Sequence, residues 1–403
     1  MVGTQHRRVD SQVARQLNLS AVLNLVRTRS ITSRIELVRE TGLSKATISE
    51  IVDYLSMQGF IRTVGRGEAS GGRPPILLEF DPQARFAIGL QLGDSVSQVM
   101  LTDLNAMPVR TLSVPTPNNS ADDAITSVIP LIEELRNTVP AEKLLGIGVG
   151  TPGLVDSEKG IIRMAPDLGW RDVPIAERLR EACKLPTHVV NRAKASALAE
   201  SWCGSGRSVD NMVYVSISTG ISAGIVVNGQ LYRGVSMSEG ELGHITVLPD
   251  GPLCPCGNRG CLQTVAAGPA LLARARELLR FHNSSILMRL TNGQPDLLTV
   301  EHLAEAASQE DALVNELFEE VAQYIGIGLA NLINLLNPRM LILGGRVIRT
   351  LPQLVPYIET AMRRRAMPTP SEAVTVVPSL LGNNVVSMGA AAFLLSQVSL
   401  LGE

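Results

Sequence analysis

The chain has 403 residues, of which 45% are hydrophobic and 18% charged, with a formal net charge of −2. These values are typical of a folded globular protein with two or three domains, and no apolar run reaches the length of a membrane-spanning helix. Five cysteines, an odd number and mostly clustered, exclude a disulfide framework, and the first residues lack the apolar centre of a secretory signal. We therefore expect a cytoplasmic protein with no membrane partner.

The charge is unevenly distributed along the chain. Residues 1–80 carry eleven Lys and Arg against seven Asp and Glu, a balance of +4. Residues 81–403 carry twenty-five against thirty-one, a balance of −6. A basic segment joined to an acidic body favours binding of a polyanion by the basic segment, although solvated helical domains reach the same imbalance.

The basic segment is predicted to contain three helices. The first is marked by apolar residues at helical spacing, namely Leu19, Val22, Leu23 and Val26. The second begins at Ser33, whose spacing to Glu36 is that of a capping box, and ends at Gly42. The third is capped by Ser44 and has its own apolar stripe, Ile48, Ile51, Val52 and Leu55.

The second and third helices have the pattern of a helix-turn-helix, because small and polar residues occupy the exposed start of the third helix. Two strands with a glycine-rich tip follow and predict a wing whose arginines reach a minor groove. We expect a winged DNA-binding domain over residues 1–82, and a three-helix bundle used for packing or dimer contacts is the alternative. The predicted DNA-binding residues are Ser44, Lys45, Ala46, Thr47, Ser49, Arg66 and Arg73.

From residue 83 onward the sequence is rich in strands with glycine turns. A strand–turn–strand pattern at residues 86–104 recurs about 126 residues later, at residues 212–234. Such a repeat predicts two similar α/β lobes with a cleft between them. We expect the first lobe to comprise residues 83–190 with 385–403, and the second lobe to comprise residues 191–384.

Three of the five cysteines fall within eight residues, in the stretch CPCGNRGC. Cys254, Cys256 and Cys261, with His244 upstream, supply three thiolates and one imidazole, which is a closed tetrahedral donor set for zinc. Because four protein ligands leave no position for a water molecule, such a zinc ion is structural. The alternative is a group of reduced thiols without a metal.

Several motifs together resemble those of the ROK family, which contains sugar kinases and sugar-responsive repressors. The motifs are GTPGLVD (150–156), APDLGW (165–170), VVNRA (189–193), STGISAG (218–224), EGELGH (239–244), CPCGNRGC (254–261) and LILGG (341–345). The resemblance covers nearly the whole chain and implies a two-lobed, actin-like (ribonuclease-H-like) α/β body. The added winged domain is similar to that of the family's repressor branch.

The resemblance also identifies three departures from the family's kinases. Their Asp-x-Gly-Gly-Thr phosphate loop corresponds here to Gln91, Leu92, Gly93, Asp94 and Ser95. The second phosphate loop has Ser218 and Ser222 where kinases have glycine. The aspartate that acts as general base corresponds to Arg192, whose guanidinium stays protonated and accepts no proton. We therefore expect no catalytic residues and no enzyme activity.

The same resemblance implies an effector pocket for a small carbohydrate. Its expected residues are Pro152, Gly153, Asn191, Arg192, Glu241, His244 and Gln263. Arg192 and Gln263 stand where the family has carboxylates, so an acidic or phosphorylated sugar, or the loss of ligand response, are alternatives. In this interpretation His244 binds zinc through one nitrogen and a ligand hydroxyl through the other.

The sequence thus predicts a sugar-responsive repressor that binds double-stranded operator DNA as a homodimer, with a tetramer left open. One alternative is an ATP-dependent sugar kinase with an accessory domain. The other is a repressor controlled by a protein partner instead of a small effector.

Overall fold

A computed structural model of the chain describes residues 11–29, 31–68, 74–93, 95–117, 120–281 and 285–398. Within these ranges, no helix combines the length and the apolar composition that crossing a bilayer requires. The described residues form an N-terminal head and a body built around two five-stranded sheets.

The head contains three helices and a small sheet in the order β1-β3-β2. Its elements are α1 (Ser11–Thr28), β1 (Thr32–Ser33), α2 (Arg34–Thr41), α3 (Lys45–Met57), β2 (Ile61–Arg66) and β3 (Ile76–Phe80). The antiparallel pair β2–β3 forms the wing, and its tip lies outside the described residues. The three predicted helices and the predicted hairpin are therefore present.

Side-chain caps define the ends of the head helices. The Ser33 hydroxyl accepts the N–H of Glu36 at the start of α2, and the Ser44 hydroxyl accepts the N–H of Thr47 at the start of α3. The helix α2 ends at Gly42, as predicted. Both predicted apolar stripes are buried, with exposed fractions of 5% or less at each of Leu19, Val22, Leu23, Val26, Ile48, Ile51, Val52 and Leu55.

The first lobe follows the head directly. Its elements are β4 (Phe86–Gln91), β5 (Val96–Thr102), β6 (Pro108–Pro115), α4 (Ala121–Arg136), β7 (Leu144–Thr151), β8 (Leu154–Asp156), β9 (Ile161–Ala165), β10 (Trp170–Val173), α5 (Ile175–Cys183) and β11 (Thr187–Asn191). The strands β8, β9 and β10 form a separate small sheet. The five-stranded sheet of this lobe packs against α4 and α5 around one apolar core.

The second lobe contains most of the helices. Its elements begin with α6 (Arg192–Cys203), β12 (Met212–Ile217), β13 (Ile221–Val227), β14 (Gln230–Leu231), α7 (Leu262–Ala266), α8 (Gly268–Leu279), α9 (Ile286–Leu290) and α10 (Val300–Ser308). They continue with α11 (Ala312–Leu336), β15 (Met340–Gly344), α12 (Gly345–Thr350), α13 (Leu354–Arg363), α14 (Pro368–Ala373) and β16 (Thr375–Pro378). The last helix, α15 (Val385–Gln397), returns to the sheet of the first lobe. The 25-residue helix α11 lies at the centre of this lobe's core.

The two five-stranded sheets have the same topology. The first has the order β11-β7-β4-β5-β6. The second, read from the corresponding edge, has the order β16-β15-β12-β13-β14. In each sheet one strand, β4 or β12, pairs antiparallel with the next strand and parallel with a later one. The predicted duplication into two similar lobes is therefore present, while the predicted domain boundaries stay a prediction.

Two helices, α6 and α15, form the contact between the lobes. The helix α15 packs on β4 and β7 of the first sheet, α6 packs on β12 and β13 of the second, and the two helices pack on each other. A Cβ atom on Gly389 of α15 would lie 1.7 Å from the backbone oxygen of Ala195 in α6. The lobes can approach this closely only because position 389 lacks a side chain.

The head shares its hydrophobic core with the body. The cluster that contains Val22 and Leu55 of the head also contains Leu394 and Leu395 of α15. Trp202 in the last turn of α6 lies at its margin, under the guanidinium of Arg27 from α1. The head is thus packed against α6 and α15, the two helices that join the lobes.

Candidate functional site: a Cys/His cluster beside the predicted cleft

The four predicted metal ligands converge on one point. His244 ends a short 3₁₀ helix, Leu242–His244, and Cys261 immediately precedes α7. Between them the chain folds into a tight loop, in which the N–H of Cys254 donates to the carbonyl of Asn258 at 2.7 Å. The donor atoms of His244, Cys254, Cys256 and Cys261 all lie within 4.8 Å of one another.

The spacing of these donor atoms fits a tetrahedral ion. Tetrahedral zinc, with bonds of about 2.3 Å to sulfur and about 2.0 Å to nitrogen, places two sulfurs about 3.8 Å apart and a sulfur and a nitrogen about 3.5 Å apart. The structure has 3.7 Å between the Sγ atoms of Cys256 and Cys261. It has 3.5 Å between Cys254 Sγ and His244 Nδ1. The residues present therefore fit a metal of the zinc type.

The surroundings of Cys256 and Cys261 shift the pKa values of these two thiols in opposite directions. The backbone N–H of Asn258, with help from the neighbouring Cys254, lowers the pKa of Cys256 to about 7. Burial, the largest influence, raises the pKa of Cys261 to about 12. A cation bound by Cys261 would offset the cost of burying its thiolate. Metal coordination would then keep this thiol deprotonated despite its raised pKa.

The imidazole of His244 lies between the Cys/His cluster and a predicted effector residue, Glu241. Its Nδ1 faces Cys254, whereas its Nε2 lies 4.0 Å from Oε2 of Glu241. Burial raises the pKa of Glu241, and the charges of His244 and Lys194 oppose that rise. The two ring nitrogens thus face different partners, one in the cluster and one among the predicted effector residues.

Asn191 and Gly153 meet at the carboxyl ends of two parallel strands, β11 and β7. The Asn191 side chain caps α6 by accepting the N–H of Ala193 at 2.8 Å, and its Nδ2 donates to the carbonyl of Gly153 at 2.8 Å. Gly153 has a φ of +87°, and a Cβ there would lie 2.1 Å from the carbonyl oxygen of Met164. This turn, which follows buried Pro152, therefore requires glycine.

Arg192 is the first residue of α6 and reaches a turn of its own lobe. Its guanidinium donates to Oγ1 of Thr219 at 3.2 Å, in the turn between β12 and β13. The predicted effector residue Gln263 lies beside the metal cluster, where its Nε2 donates to Cys254 Sγ at 3.5 Å. Each of these positions, where the resemblance implies a carboxylate, is thus occupied by a side chain that donates to a neighbour.

Two charged residues that the sequence analysis did not select connect these groups. Lys194 donates to Oε1 of Glu239 at 2.7 Å and to the carbonyl of Met237 at 2.7 Å, and both charged side chains are only 9% exposed. This buried ion pair ties α6 to the loop that leads to Glu241 and His244. A lysine within the alanine-rich run RAKASALA was the available signal in the sequence.

The two serines that correspond to the kinases' second phosphate loop, Ser218 and Ser222, bond to or pair with other residues of the chain. The Ser218 hydroxyl accepts the N–H of Arg346 at 2.9 Å, and Ser222 pairs with Ser216 in the β12–β13 ladder. On the first lobe, Gln91 is the last residue of β4, and Asp94 lies outside the described residues.

On the head, Lys45 and Ala46 are exposed at the start of α3, and Thr47 beside them is half-buried. The Ser49 hydroxyl accepts a hydrogen bond from Arg34, whose other nitrogen forms an ion pair with Asp53. Arg66 is exposed at the end of β2, and Arg73 lies outside the described residues. The structure thus presents the predicted face of α3, with Ser49 held by a neighbouring arginine.

Comparison with known proteins gives matches along nearly the whole chain. A sequence profile of the ROK family matches residues 87–397. The xylose repressor of Bacillus subtilis is 31% identical over 388 residues, which are 96% of this chain and 97% of the repressor. The glucokinase of Halalkalibacterium halodurans is 33% identical over 309 residues, which are 76% of this chain and 93% of the kinase.

Among solved structures, a ROK family transcriptional regulator described as a homologue of the Escherichia coli MLC protein matches with a TM-score of 0.83. It is 30% identical and covers 96% of this chain and 98% of its own. The predicted two-lobed fold is therefore confirmed, and the chain belongs to the ROK family.

Proposed function

We propose that the protein is a sugar-responsive transcriptional repressor whose cleft binds a carbohydrate without phosphorylating it. The observation that carries this function is the common core of the winged head and the ROK body, which makes a DNA-binding unit part of a cleft-containing fold. The lengths of the matches support it. The xylose repressor match covers 96% of the chain and so extends through the head, whereas the glucokinase match covers 76%.

Operator DNA is proposed to bind at the start of α3 and at the wing. Lys45 and Arg66 are exposed there and can reach phosphates, while Ala46 leaves room for the helix to approach base edges. The hydroxyls of Ser44 and Thr47, which lie 2.8 Å apart, face the same side. Two chains in a homodimer would present two such helices to half-sites about 34–36 Å apart in double-stranded DNA, as for other winged or helix-turn-helix dimers.

The cleft is proposed to bind and not to catalyse. A guanidinium at position 192, held by Thr219, cannot take a proton from a sugar hydroxyl. The carboxylate of Glu241 and the Nε2 of His244 remain suited to sugar hydroxyls, and we propose that a structural zinc ion fixes the orientation of His244. Because it acts on DNA and carries reduced metal-binding thiols, we place the protein in the cytoplasm.

The DNA interface can be tested with Lys45→Ala in the full-length protein. Loss of one phosphate contact is expected to weaken binding to operator and to unrelated DNA by the same factor, and to reduce the slope of log K against log salt by about 1. Fluorescence anisotropy across a salt series measures both quantities on DNA from upstream of the gene. Lys159→Ala, which removes an exposed lysine from the body, is the matched control. Equal salt slopes in Lys45→Ala and wild type would contradict the assignment.

The effector site can be tested with Glu241→Gln and a panel of neutral and acidic sugars. A sugar that stabilises the wild type in thermal unfolding is expected to bind the variant about 10- to 100-fold more weakly, because a charge-assisted hydrogen bond becomes a neutral one. Glu158→Gln, an exposed glutamate of the first lobe, should bind normally. A coupled assay with ATP and the same sugars is expected to show no turnover, and enzyme-like formation of a phosphosugar would refute the non-catalytic cleft.

A further inference from the structure

A cavity of about 800 Å³ lies between the head and the body, away from the cleft. Its head side comes from α1 and its body side from the end of α6, the hairpin at β14 and the end of α15. The residues that matter for its chemistry are Asn24, Arg27, Trp202, Gln230, Arg233 and Gln397. Its volume is within the range of small-molecule sites in proteins.

Arg27 supplies a positive charge without a hydrogen-bonding partner. Its guanidinium stacks over the Trp202 ring at 4.3 Å from the ring centroid, and it forms no ion pair or hydrogen bond with the described side chains or backbone. Burial and the nearby charge of Arg207 both lower the pKa of Arg27. None of the Arg27 nitrogens is counted among the fully buried, unpaired polar atoms of the described residues, so water reaches them, and an anion that replaces this water would accept hydrogen bonds from the charged N–H donors.

The opposite wall carries a second arginine. The Arg233 guanidinium lies 5.9 Å from the centroid of the Phe393 ring and donates to Oε1 of Gln397 at 3.3 Å. No aspartate or glutamate is among the described residues that line the cavity. The cavity therefore combines two guanidinium groups, side-chain amides and aromatic rings, without a carboxylate to neutralise the charge.

We propose that this cavity binds a small-molecule anion that carries phosphate or carboxylate groups. Guanidinium groups bind both anions through paired N–H donors, and the amides of Asn24 and Gln230 can bind the uncharged part of the ligand. The ligand contacts α1 of the head and Arg233 of the body at once. Its binding is therefore thermodynamically linked to any movement of the head against the body.

The site is separate from the carbohydrate cleft. Asn191 and Arg192 lie at the start of α6, whereas Trp202 lies in its last turn, and a helix of this length spans about 18 Å. An anion in the cavity and a sugar in the cleft can therefore bind at the same time, and the proposal does not depend on the function of the cleft.

The experiment measures anion binding to the full-length protein by isothermal titration calorimetry. The probes are inorganic phosphate, D-ribose 5-phosphate and citrate, with sodium chloride used to hold ionic strength constant and D-ribose as the uncharged control. At least one anion is expected to bind saturably with one site per chain. Arg27→Gln and Arg233→Gln should each raise its Kd at least tenfold, since each removes a charged donor.

Two further variants locate the site. Arg364→Gln, which removes an arginine from a different groove, and Arg192→Gln, which removes the cleft arginine, should both leave the Kd within twofold. Thermal unfolding without anion establishes that each variant is folded, and exposed Arg233 provides a test even if Arg27→Gln unfolds the head. The proposal is overturned if none of the three anions binds the wild type. It is also overturned if Arg192→Gln abolishes binding while folded Arg27→Gln or Arg233→Gln retains it.

Discussion

Cys261→Ser is expected to reduce bound zinc from about one ion per chain to less than about a tenth, and to lower the stability of the second lobe by several kcal/mol. Cys261 is fully buried, and its Sγ lies 3.7 Å from Cys256 Sγ. A serine hydroxyl there would bind zinc more weakly than a thiolate, and its oxygen would lie farther from the ion because the C–O bond is shorter than the C–S bond. Metal content by mass spectrometry and thermal unfolding with and without a chelator measure the two effects. Because His244 belongs to the cluster and to the proposed effector site, the variant should also bind sugar more weakly.

The matched control is Cys183→Ser. Cys183 is also buried, but it packs in the core of the first lobe and lies outside the cluster. This variant is expected to lose some stability through the buried hydroxyl and to keep its zinc. If Cys261→Ser retained as much zinc as Cys183→Ser, the four residues would not be the ligands.

Gly389→Ala is expected to destabilise the protein by about 3 kcal/mol or more, although alanine is intrinsically the better helix former by up to about 1 kcal/mol. The added Cβ would lie 1.7 Å from the carbonyl oxygen of Ala195, and helix backbone on both sides leaves little room to move. The clash lies where α6 and α15 cross, so the two helices, and the lobes they belong to, would have to move apart to accommodate it. Denaturant unfolding measures the loss of stability.

Gly328→Ala provides the comparison for this substitution. Gly328 also lies inside a helix, α11, but its added Cβ would meet side chains and no backbone: Cδ2 of Leu262 at 2.8 Å and Cδ1 of Ile245 at 3.5 Å. A change within about 1 kcal/mol of the wild type is expected, because the leucine can adopt another rotamer. Similar losses of stability in the two variants would show that the α6–α15 crossing tolerates expansion.

The helix α6 connects the predicted effector residues, the loop that leads to His244, the crossing between the lobes and the head. Its N-terminus carries Asn191 and Arg192 at the cleft, and Lys194 ties it to the loop of the metal cluster. Its middle crosses α15 at Ala195, and its last turn places Trp202 under Arg27 of the head. One helix therefore carries the predicted effector residues at one end and the contact with the head at the other.

The sequence by itself determined the features that depend on short spacings. The caps Ser33 and Ser44, the apolar stripe of α3 and the β4–β5 hairpin follow from residues a few positions apart, where helix and strand geometry fixes which side chains meet. The metal cluster was predictable for a similar reason. Cys254, Cys256 and Cys261 lie in one loop, and thiolates gathered at such spacing with a histidine are typical zinc ligands.

Only the tertiary structure decided the contacts between distant segments. The pairs Lys194–Glu239, Arg27–Trp202 and Gly389–Ala195 join residues far apart in the chain, and no periodicity in the sequence encodes which of them meet. Their partners depend on how two sheets and two crossing helices pack, which is fixed by the whole core and not by local propensity. For this reason the cavity between head and body could not be predicted from the sequence, whereas the cleft motifs could.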